Sequence, residues 1–443
     1  MDNVMLARSL FGSSMAFHII FATMGVGLPF MIVFAEIFYQ IKKDRDYAMM
    51  AKRWTKCQAI LLGVAIPSGT IVGVMLSLLW PGFMEIVGQV IALPFQIEIW
   101  AFFLEALFMS IYVYAADRLP AALRIISVIF VALGATASAV LITDAHAWMN
   151  TPQGFRLVNG EVVDVNPWAA VFNPSLPTTA THVLVSAYTT GAFAVVSVAA
   201  VKLLSRKRTE RERQYHRKGL FLALLVGGAM SLLTALNGHA TAQMLHHYQP
   251  EKLAAAEGLF ETQAYAPLAI GGITDKETHT IRGAIEIPWL LSFLAGNSFD
   301  TVVKGLNDFP EEEWPPLIVH TLFNLMVGIG SLLILASFGT MLYRLVRKKE
   351  YPRWLLQALM LTGPLALIGI ETGWIFSCTG RQPWTIYHLQ KTAEAATQSQ
   401  HLGSLFVLFI GLYVFLLVVT ALVLRFYFKR HPVTPDMLDV RYG

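Results

Sequence analysis

The sequence predicts an all-α integral membrane protein with nine transmembrane helices, and three observations support this fold class. Of the 443 residues, 55% are hydrophobic and only 14% are charged, whereas about a quarter of the residues of a soluble protein are charged. The apolar residues form nine separate stretches, each long enough for the roughly 20 helical residues that a bilayer core requires. Lys and Arg residues collect in alternate connections between these stretches.

The nine predicted helices divide the whole chain into spans and connections. They occupy residues 14–40, 56–80, 94–115, 121–146, 180–204, 218–243, 316–345, 354–377 and 403–428. The first stretch is too long for a cleavable signal peptide and has no clear cleavage site behind it. We therefore expect residues 1–443 to form a single integral membrane subunit, whose odd number of crossings places the two termini on opposite sides.

The distribution of basic residues predicts the orientation in the membrane. The connections after helices 1, 3, 5 and 7, together with the C-terminal tail, contain 25 of the 33 Lys and Arg residues. Short basic connections remain in the cytoplasm. The N-terminus is therefore predicted outside and the C-terminus inside.

Two connections on the predicted outer side are unusually long, residues 147–179 and residues 244–315. The second has 72 residues and includes a helix-compatible stretch, QPEKLAAAEGLFET. Loops of this length are usually functional or disordered. The sequence gives no support for a covalently bound haem, a cysteine-bound zinc or iron–sulfur site or a nucleotide site. It has no CxxC or CxxCH motif and no nucleotide-binding glycine loop.

Four side chains that can bind iron lie in the apolar stretches or at their outer ends: His18, His182, Met326 and Glu371. An ionisable group in lipid costs roughly 2–4 kcal/mol unless it has a partner. Imidazole and thioether groups are known haem-iron ligands, and a carboxylate is also a plausible one. Helix lengths predict that all four lie in the outer half of the membrane, which favours haem binding over isolated packing roles.

Two carboxylates of the third predicted helix lie seven residues apart in FQIEIWAFFLEALF. This spacing places Glu98 and Glu105 on the same helix face, two turns apart. Aligned carboxylates in a membrane are typical of a proton relay, since burial raises a carboxyl pKa toward neutrality. A pair of structural carboxyls bonded to neighbouring helices is an equally good interpretation.

Two further motifs each allow two interpretations. The GVG motif at 25–27 allows close approach either of a neighbouring helix or of a flat ring. Arg381, in the GRQPW motif, either neutralises carboxylates such as haem propionates or anchors to lipid headgroups.

The chain resembles subunit I of the cytochrome bd quinol oxidases. The motifs that support this resemblance are HIIFATMGVGLP, IEIWAFFLEALF, MNTPQGF, QPEKLAAAE, EIPWLLSFLA and GRQPW, and they extend over essentially the whole chain. The resemblance implies nine helices and an external quinol-binding loop, the Q-loop, between helices 6 and 7 at residues 244–315. This loop looks like the shorter variant of the family, without the insertion that some members carry in its C-terminal half.

The resemblance also implies the cofactors and their ligands. His182 and Met326 match the axial pair of a low-spin haem b. His18 and Glu371 match ligands of two high-spin haems, a second haem b and one haem d (or a third haem b). Which of these two haems each residue binds is left open, and Arg381 matches an arginine beside them.

The remaining implied site residues handle quinol and protons. Lys252 and Glu257 match quinol-site residues of the Q-loop, and Glu98 and Glu105 match acidic residues of the proton path and the haem surroundings. Together with Glu371, the latter two are the predicted catalytic carboxylates.

The resemblance implies a terminal oxidase of the bacterial cytoplasmic membrane. Such an enzyme oxidises ubiquinol or menaquinol outside and reduces dioxygen to water with cytoplasmic protons, so it charges the membrane without pumping. The implied partners are a subunit II, membrane lipid and an optional small accessory subunit, with no nucleic acid. Two rival interpretations are a proton-coupled transporter and a haem anchor that only passes electrons.

Overall fold

The computed structural model describes residues 3–347, 350–399 and 401–433, and this part of the chain is mostly helical. Its α-helices are α1 (Asn3–Lys42), α2 (Arg45–Leu79), α3 (Pro81–Val90), α4 (Ala92–Ala115), α5 (Ala121–Asn150), α6 (Pro167–Val171), α7 (Leu176–Leu204), α8 (Glu210–Tyr248), α9 (Pro250–Glu257), α10 (Leu290–Gly296), α11 (Ile318–Arg347), α12 (Arg353–Thr379), α13 (Thr392–Ala395) and α14 (Leu402–Arg430). Nine helices in these described ranges are long and apolar enough to cross a membrane, namely α1, α2, α4, α5, α7, α8, α11, α12 and α14. The predicted all-α fold class and its nine spans are confirmed.

Eight short strands form four antiparallel pairs in the connections. They are β1 (Arg156–Val158), β2 (Glu161–Val163), β3 (Leu268–Ile270), β4 (Ile273–Asp275), β5 (Thr280–Arg282), β6 (Ile285–Ile287), β7 (Trp384–Ile386) and β8 (Gln390–Lys391). The pairs are β1–β2, β3–β6, β4–β5 and β7–β8. The β4–β5 hairpin is therefore nested inside the β3–β6 pair.

The first two helices begin eleven residues earlier than their apolar stretches, at Asn3 and Arg45 instead of 14 and 56. In α1 the hydroxyl of Ser14 donates to the backbone oxygen of Leu10, at 2.8 Å, so polar residues are accommodated inside the helix. The α2 helix begins at its N-cap, Asp44, whose side chain accepts from the backbone of Asp46. Hydropathy locates the apolar segment of a helix, whereas caps and backbone hydrogen bonds determine where the helix begins.

The spanning helices form two groups, which are joined by the packing of α7 on α1 and on α5. In the first group, α1 packs on α2 and α5, α4 packs on α5, and α14 lies against α1 and α2. In the second, α7 and α11 each pack on both α8 and α12. The groups meet where Gly27 faces Gly191: a Cβ added at Gly27 would lie 2.5 Å from the backbone oxygen of Ala187. Of the two interpretations of the GVG motif, the structure supports helix packing at Gly27.

The two ends of the bundle differ in their connections. We call one the basic end, with connections 43–44, 116–120, 205–209 and 348–352, and the other the loop-rich end, with connections 80–91, 151–175, 249–317 and 380–401. Lys348, Lys349 and Arg441, which contribute to the count of basic residues, lie outside the described residues. The structure contains no membrane, so the orientation of these ends remains a prediction.

A buried ion pair joins helices near the basic end. Glu36 of α1 accepts from Nε of Arg124 at 3.1 Å and from the hydroxyl of Tyr112 at 2.5 Å. The Arg124 and Glu36 side chains are only 1% and 0% exposed. Because removing one partner of a buried pair leaves an uncompensated charge, this contact strongly constrains how α1, α4 and α5 pack.

The long connection at the loop-rich end is folded. The predicted helix-compatible stretch forms α9, which ends at Gly258 with a left-handed φ of 64°. Further along, Gln263 and Val303 exchange backbone hydrogen bonds of 3.1 and 3.0 Å. Residues 264–302, which contain β3–β6 and α10, therefore form an excursion whose two ends meet next to α9.

The glycine contact between α1 and α7 predicts opposite effects for one substitution at two positions of α1. Gly27→Ala should destabilise the protein by about 1–3 kcal/mol, since its methyl group would overlap the backbone of α7. Gly12→Ala is the matched control: nothing lies within 4 Å of its added Cβ, so higher helix propensity should leave stability unchanged or raised by up to about 1 kcal/mol. Thermal unfolding of both variants in detergent tests this, and equal midpoints would contradict it.

Candidate functional site

The predicted ligand His182 is held by a neighbour on the adjacent helix. Its ring nitrogen Nδ1 donates to Oδ1 of Asn237 on α8, at 3.1 Å. A hydrogen bond at one ring nitrogen fixes the tautomer and leaves the other nitrogen as the acceptor available to a metal. Nε2 of His182 is therefore the atom suited to iron.

His18 shows the same arrangement on α1. Its Nδ1 lies 2.9 Å from Oγ of Ser68, and that hydroxyl already donates to the backbone oxygen of Ala65 at 3.0 Å. The hydroxyl must therefore accept from Nδ1, which again leaves Nε2 available. Gly69 makes room for this ring, since a Cβ there would lie 2.9 Å from Cε1 of His18.

The position of His18 along α1 differs from the prediction. Because α1 begins at Asn3, His18 lies about 22 Å from the start of the helix instead of just inside its outer end. The first turns of α1 belong to the loop-rich end, where Leu10 joins a buried cluster with Trp80 and Phe83. The common depth of the four predicted ligands remains a prediction.

Met326 and Glu371 lie on two helices in direct contact. A Cβ added at Gly373 of α12 would lie 3.0 Å from the sulfur of Met326 on α11, so the thioether reaches the helix that carries Glu371. Oε1 of Glu371 is buried and lacks a hydrogen-bond partner among the described residues. A buried carboxylate oxygen without a partner is costly, and a metal ligand role would satisfy it.

Arg381 lies just beyond α12 and is only 5% exposed. Its Nη1 donates to Oδ1 of Asn150 at 2.9 Å, whereas its Nε is buried without a partner among the described residues. Such burial contradicts the headgroup-anchor interpretation. The free donor suits a carboxylate, such as a haem propionate.

The two predicted quinol-site residues are both buried in α9. Nζ of Lys252 donates to the backbone oxygen of Ser377 at 2.9 Å, near the end of α12, and lies 5.4 Å from the centre of the Phe376 ring. Oε2 of Glu257 is buried and unpartnered among the described residues. The first residue of the pair therefore contacts α12, and the second has an unused acceptor.

Burial brings the pKa values of these two groups close to neutrality. Burial and the nearby Arg381 guanidinium lower the pKa of Lys252 to about 7, and burial raises the pKa of Glu257 to about 8. At pH 7 the amine is therefore about half protonated and the carboxyl is mostly protonated. Groups with such pKa values are suited to exchanging protons with a bound molecule.

Glu98 and Glu105 lie on the face of α4 that packs on α5. Glu98 accepts from the hydroxyl of Ser138 at 2.5 Å. Glu105 packs against Gly134, whose added Cβ would lie 2.9 Å from Cβ of Glu105, and its Oε1 is buried without a partner among the described residues. Glu98 is hydrogen-bonded to a neighbouring helix, which is compatible with either interpretation, whereas the free oxygen of Glu105 suits a relay.

The sequence analysis missed the residues that hold the predicted ligands. Asn237 carried a usable signal, because an amide in an apolar helix needs a partner. Ser68, Gly69 and Gly373 carried none, since small residues are common in membrane helices. Asn150, the partner of Arg381, lies 231 positions away from it in the chain.

Comparison with known proteins places the whole chain in one family. The model of the family described as cytochrome bd terminal oxidase subunit I matches residues 6–432. Over 438 residues the chain is 63% identical to a Bacillus subtilis (strain 168) protein named, provisionally, as a cytochrome bd menaquinol oxidase subunit I, with 99% of each chain covered. It is also 31% identical to the cytochrome bd ubiquinol oxidase subunit 1 of the same organism, over 97% of this chain and 94% of the relative.

A solved structure agrees with the fold. The chain is similar to the bd oxidase from Geobacillus thermodenitrificans with a TM-score of 0.92 and 44% sequence identity, over 97% of this chain and 99% of that chain. These similarities identify a haem-containing quinol oxidase subunit, and they exclude the transporter and the electron-passing anchor as its main function. The chain belongs to the cytochrome bd terminal oxidase subunit I family.

Proposed function

We propose that this chain is the subunit in which quinol oxidation and dioxygen reduction both occur, and that its loop-rich end faces the outside of the bacterial cytoplasmic membrane. The observation that carries the proposal is the hydrogen bond from Lys252 to Ser377. It ties the predicted quinol loop to α12, the helix that also carries Glu371. The two half-reactions therefore have their predicted residues on directly connected elements.

We propose that four side chains hold the haems. His182 and Met326 would together hold a low-spin haem b, while His18 and Glu371 would each hold one high-spin haem, of type b or d. The free Nε2 atoms of the two histidines and the unpartnered oxygen of Glu371 support this assignment. The haems, when bound, supply electron transfer and dioxygen chemistry, whereas the chain supplies ligands, access and protons.

We propose that quinol binds beside α9. Lys252 would donate a hydrogen bond to a quinol oxygen, and Glu257 would accept a quinol proton that is then released at the loop-rich end. Of the two quinol classes, menaquinol is favoured, because the relative at 63% identity carries that substrate in its name.

Protons for water formation would come from the basic end, which we place in the cytoplasm. Glu105, with its free buried oxygen, would pass them on, and Glu98 would act beside it. Electrons and protons would then reach the oxygen site from opposite faces, so turnover would charge the membrane without a pumping stroke.

We propose subunit II as the partner of this chain, because the names of its relatives carry a subunit number. We propose that α14 and α4 provide the contact surface for subunit II and for lipid. Among the described residues, only 11% and 17% of the most apolar segments of these two helices are buried.

The assignment of His182 and Met326 as ligands of the low-spin haem b predicts that their loss removes its spectroscopic signal. His182→Ala and Met326→Ala should each abolish the low-spin haem b signal in the reduced-minus-oxidised spectrum and quinol-driven reduction of the remaining haems. His247→Ala is the control, because that histidine is exposed at the same end of the bundle. Survival of the low-spin signal in both test variants would refute the assignment.

The raised pKa of Glu257 predicts a pH dependence. The carboxylate accepts a proton only when ionised, and its ionised fraction rises about tenfold per pH unit below its pKa of about 8. Stopped-flow haem reduction by quinol should therefore accelerate from pH 6 to 8. Glu257→Gln should flatten this rise and lower the rate at least about tenfold at pH 8.

The control for this experiment is Glu261→Gln, which makes the same change at an exposed position of the same loop. It should keep the wild-type slope. An unchanged slope in Glu257→Gln would show that this carboxyl does not accept the proton.

The proposed relay predicts a step-specific defect. Glu105→Gln should slow reoxidation of the reduced enzyme by dioxygen about 10²-fold or more, the scale of a lost proton-transfer group, with little effect on haem reduction by quinol. Flash-initiated oxygen reaction and anaerobic stopped-flow reduction measure the two steps separately. Glu85→Gln, at an exposed position, is the control, and equal slowing of both steps would count against the relay.

A further inference from the structure

We propose that Glu251, Glu313 and His388 form a binding site for a divalent transition-metal ion, of which Zn²⁺ is the type example, at the loop-rich end. One donor atom from each of the three side chains lies within 4.8 Å of the other two. The proposal concerns residues outside the haem and quinol assignments and does not depend on them.

The donor geometry suits zinc. Nε2 of His388 lies 3.4 Å from Oε1 of Glu251. Zinc bonds of about 2.0–2.2 Å in a tetrahedron separate two ligand atoms by about 3.4 Å, so this pair already has the spacing that a shared ion requires. Two carboxylates and one imidazole favour Zn²⁺ over Ca²⁺ or Mg²⁺, which prefer oxygen ligands alone.

The local charge balance also points to a cation. Glu251 is only 5% exposed and Glu313 is half-buried. Among the described residues, neither forms an ion pair with a lysine or arginine, and the one basic group beside them is the His388 imidazole. Two adjacent carboxylates without a permanently charged partner repel each other, and a divalent ion would compensate both charges.

The backbone holds the imidazole in place. His388 has a φ of 56°, in the left-handed region that a side chain other than glycine adopts only when its surroundings enforce it. Its ring stacks on Tyr387 at a centroid distance of 4.0 Å, and the Tyr387 hydroxyl donates to Glu251. The histidine and the buried carboxylate are therefore preorganised as a pair.

A bound ion would join three segments that are distant in the sequence. Glu251 lies in the first turn of α9, Glu313 lies near the end of the long connection, and His388 lies in the loop after α12. Because Glu251 belongs to α9, the ion would fasten that helix to both other segments, next to Lys252. We expect bound zinc to suppress local opening of α9.

Calorimetric titration of chelator-washed holoenzyme with ZnCl₂ tests the site. The wild type should bind one zinc ion, and His388→Ala and Glu313→Gln should each lower the zinc affinity by at least about tenfold. CaCl₂ should give no comparable binding. His401→Ala, an exposed histidine at the same end, is the matched control and should bind like the wild type. An unaltered haem spectrum shows that each variant is folded.

Hydrogen–deuterium exchange provides the second measurement. Zinc should slow amide exchange in residues 250–257 of the wild type and of His401→Ala, but not of His388→Ala. Equal zinc affinity in the wild type, His388→Ala and Glu313→Gln would overturn the proposal. Exchange in α9 that does not respond to zinc would overturn it as well.

Discussion

The arrangement of the whole bundle depends on one backbone-to-backbone contact, where Gly27 of α1 meets Gly191 of α7. A Cβ added at Gly191 would lie 2.6 Å from the carbonyl carbon of Gly27, so no larger residue fits without moving a helix. Lipid provides no hydrophobic driving force between helices, and close van der Waals contact between small residues replaces it. This contact fixes α1, with His18, against α7, with His182, and together with the packing of α5 on α7 it sets the two helix groups relative to each other.

Two buried basic side chains at the loop-rich end, Arg381 and Lys252, are bonded to neutral acceptors. Arg381 donates to Oδ1 of Asn150 and to the sulfur of Met149. Lys252 donates to the backbone oxygen of Ser377, so all three acceptors are neutral. Neutral oxygens offset desolvation without cancelling the charge, and the backbone oxygen adds the negative end of the α12 dipole. Among the described residues Arg381 therefore keeps its positive charge without an anionic partner in a low-dielectric setting, which favours an anionic group such as a haem propionate beside it.

The sequence was sufficient for the spanning helices and the candidate side chains, because both follow from local apolar runs and from polar residues inside them. It was insufficient for the helix starts: α1 begins at Asn3 and accommodates hydroxyls such as that of Ser14, which bond within the helix, an effect that hydropathy does not measure. The sequence also did not predict hydrogen-bond partners that are distant along the chain. The bond from Lys252 to Ser377 spans 125 positions, and no local pattern relates the two residues.

The GVG motif is a second case in which the sequence left two structural interpretations open. Two small residues indicate close approach, but they do not say what approaches, and only the position of α7 decides between a helix and a ring. Likewise, the spacing of Glu98 and Glu105 on α4 allowed two interpretations. The two carboxylates differ in the structure, because Glu98 accepts from Ser138 of α5 whereas Glu105 keeps a free oxygen beside that helix.

The backbone bridge between Gln263 and Val303 has a consequence for how this loop can evolve. Because the ends of the excursion over residues 264–302 meet at that bridge, its exposed turn at residues 276–279 can change length while α9 keeps its place. Doubling the length of a flexible loop costs only about 0.6 kcal/mol of closure entropy. Insertions at this turn therefore cost little, so that shorter and longer forms of the loop are compatible with the same helix carrying Lys252 and Glu257.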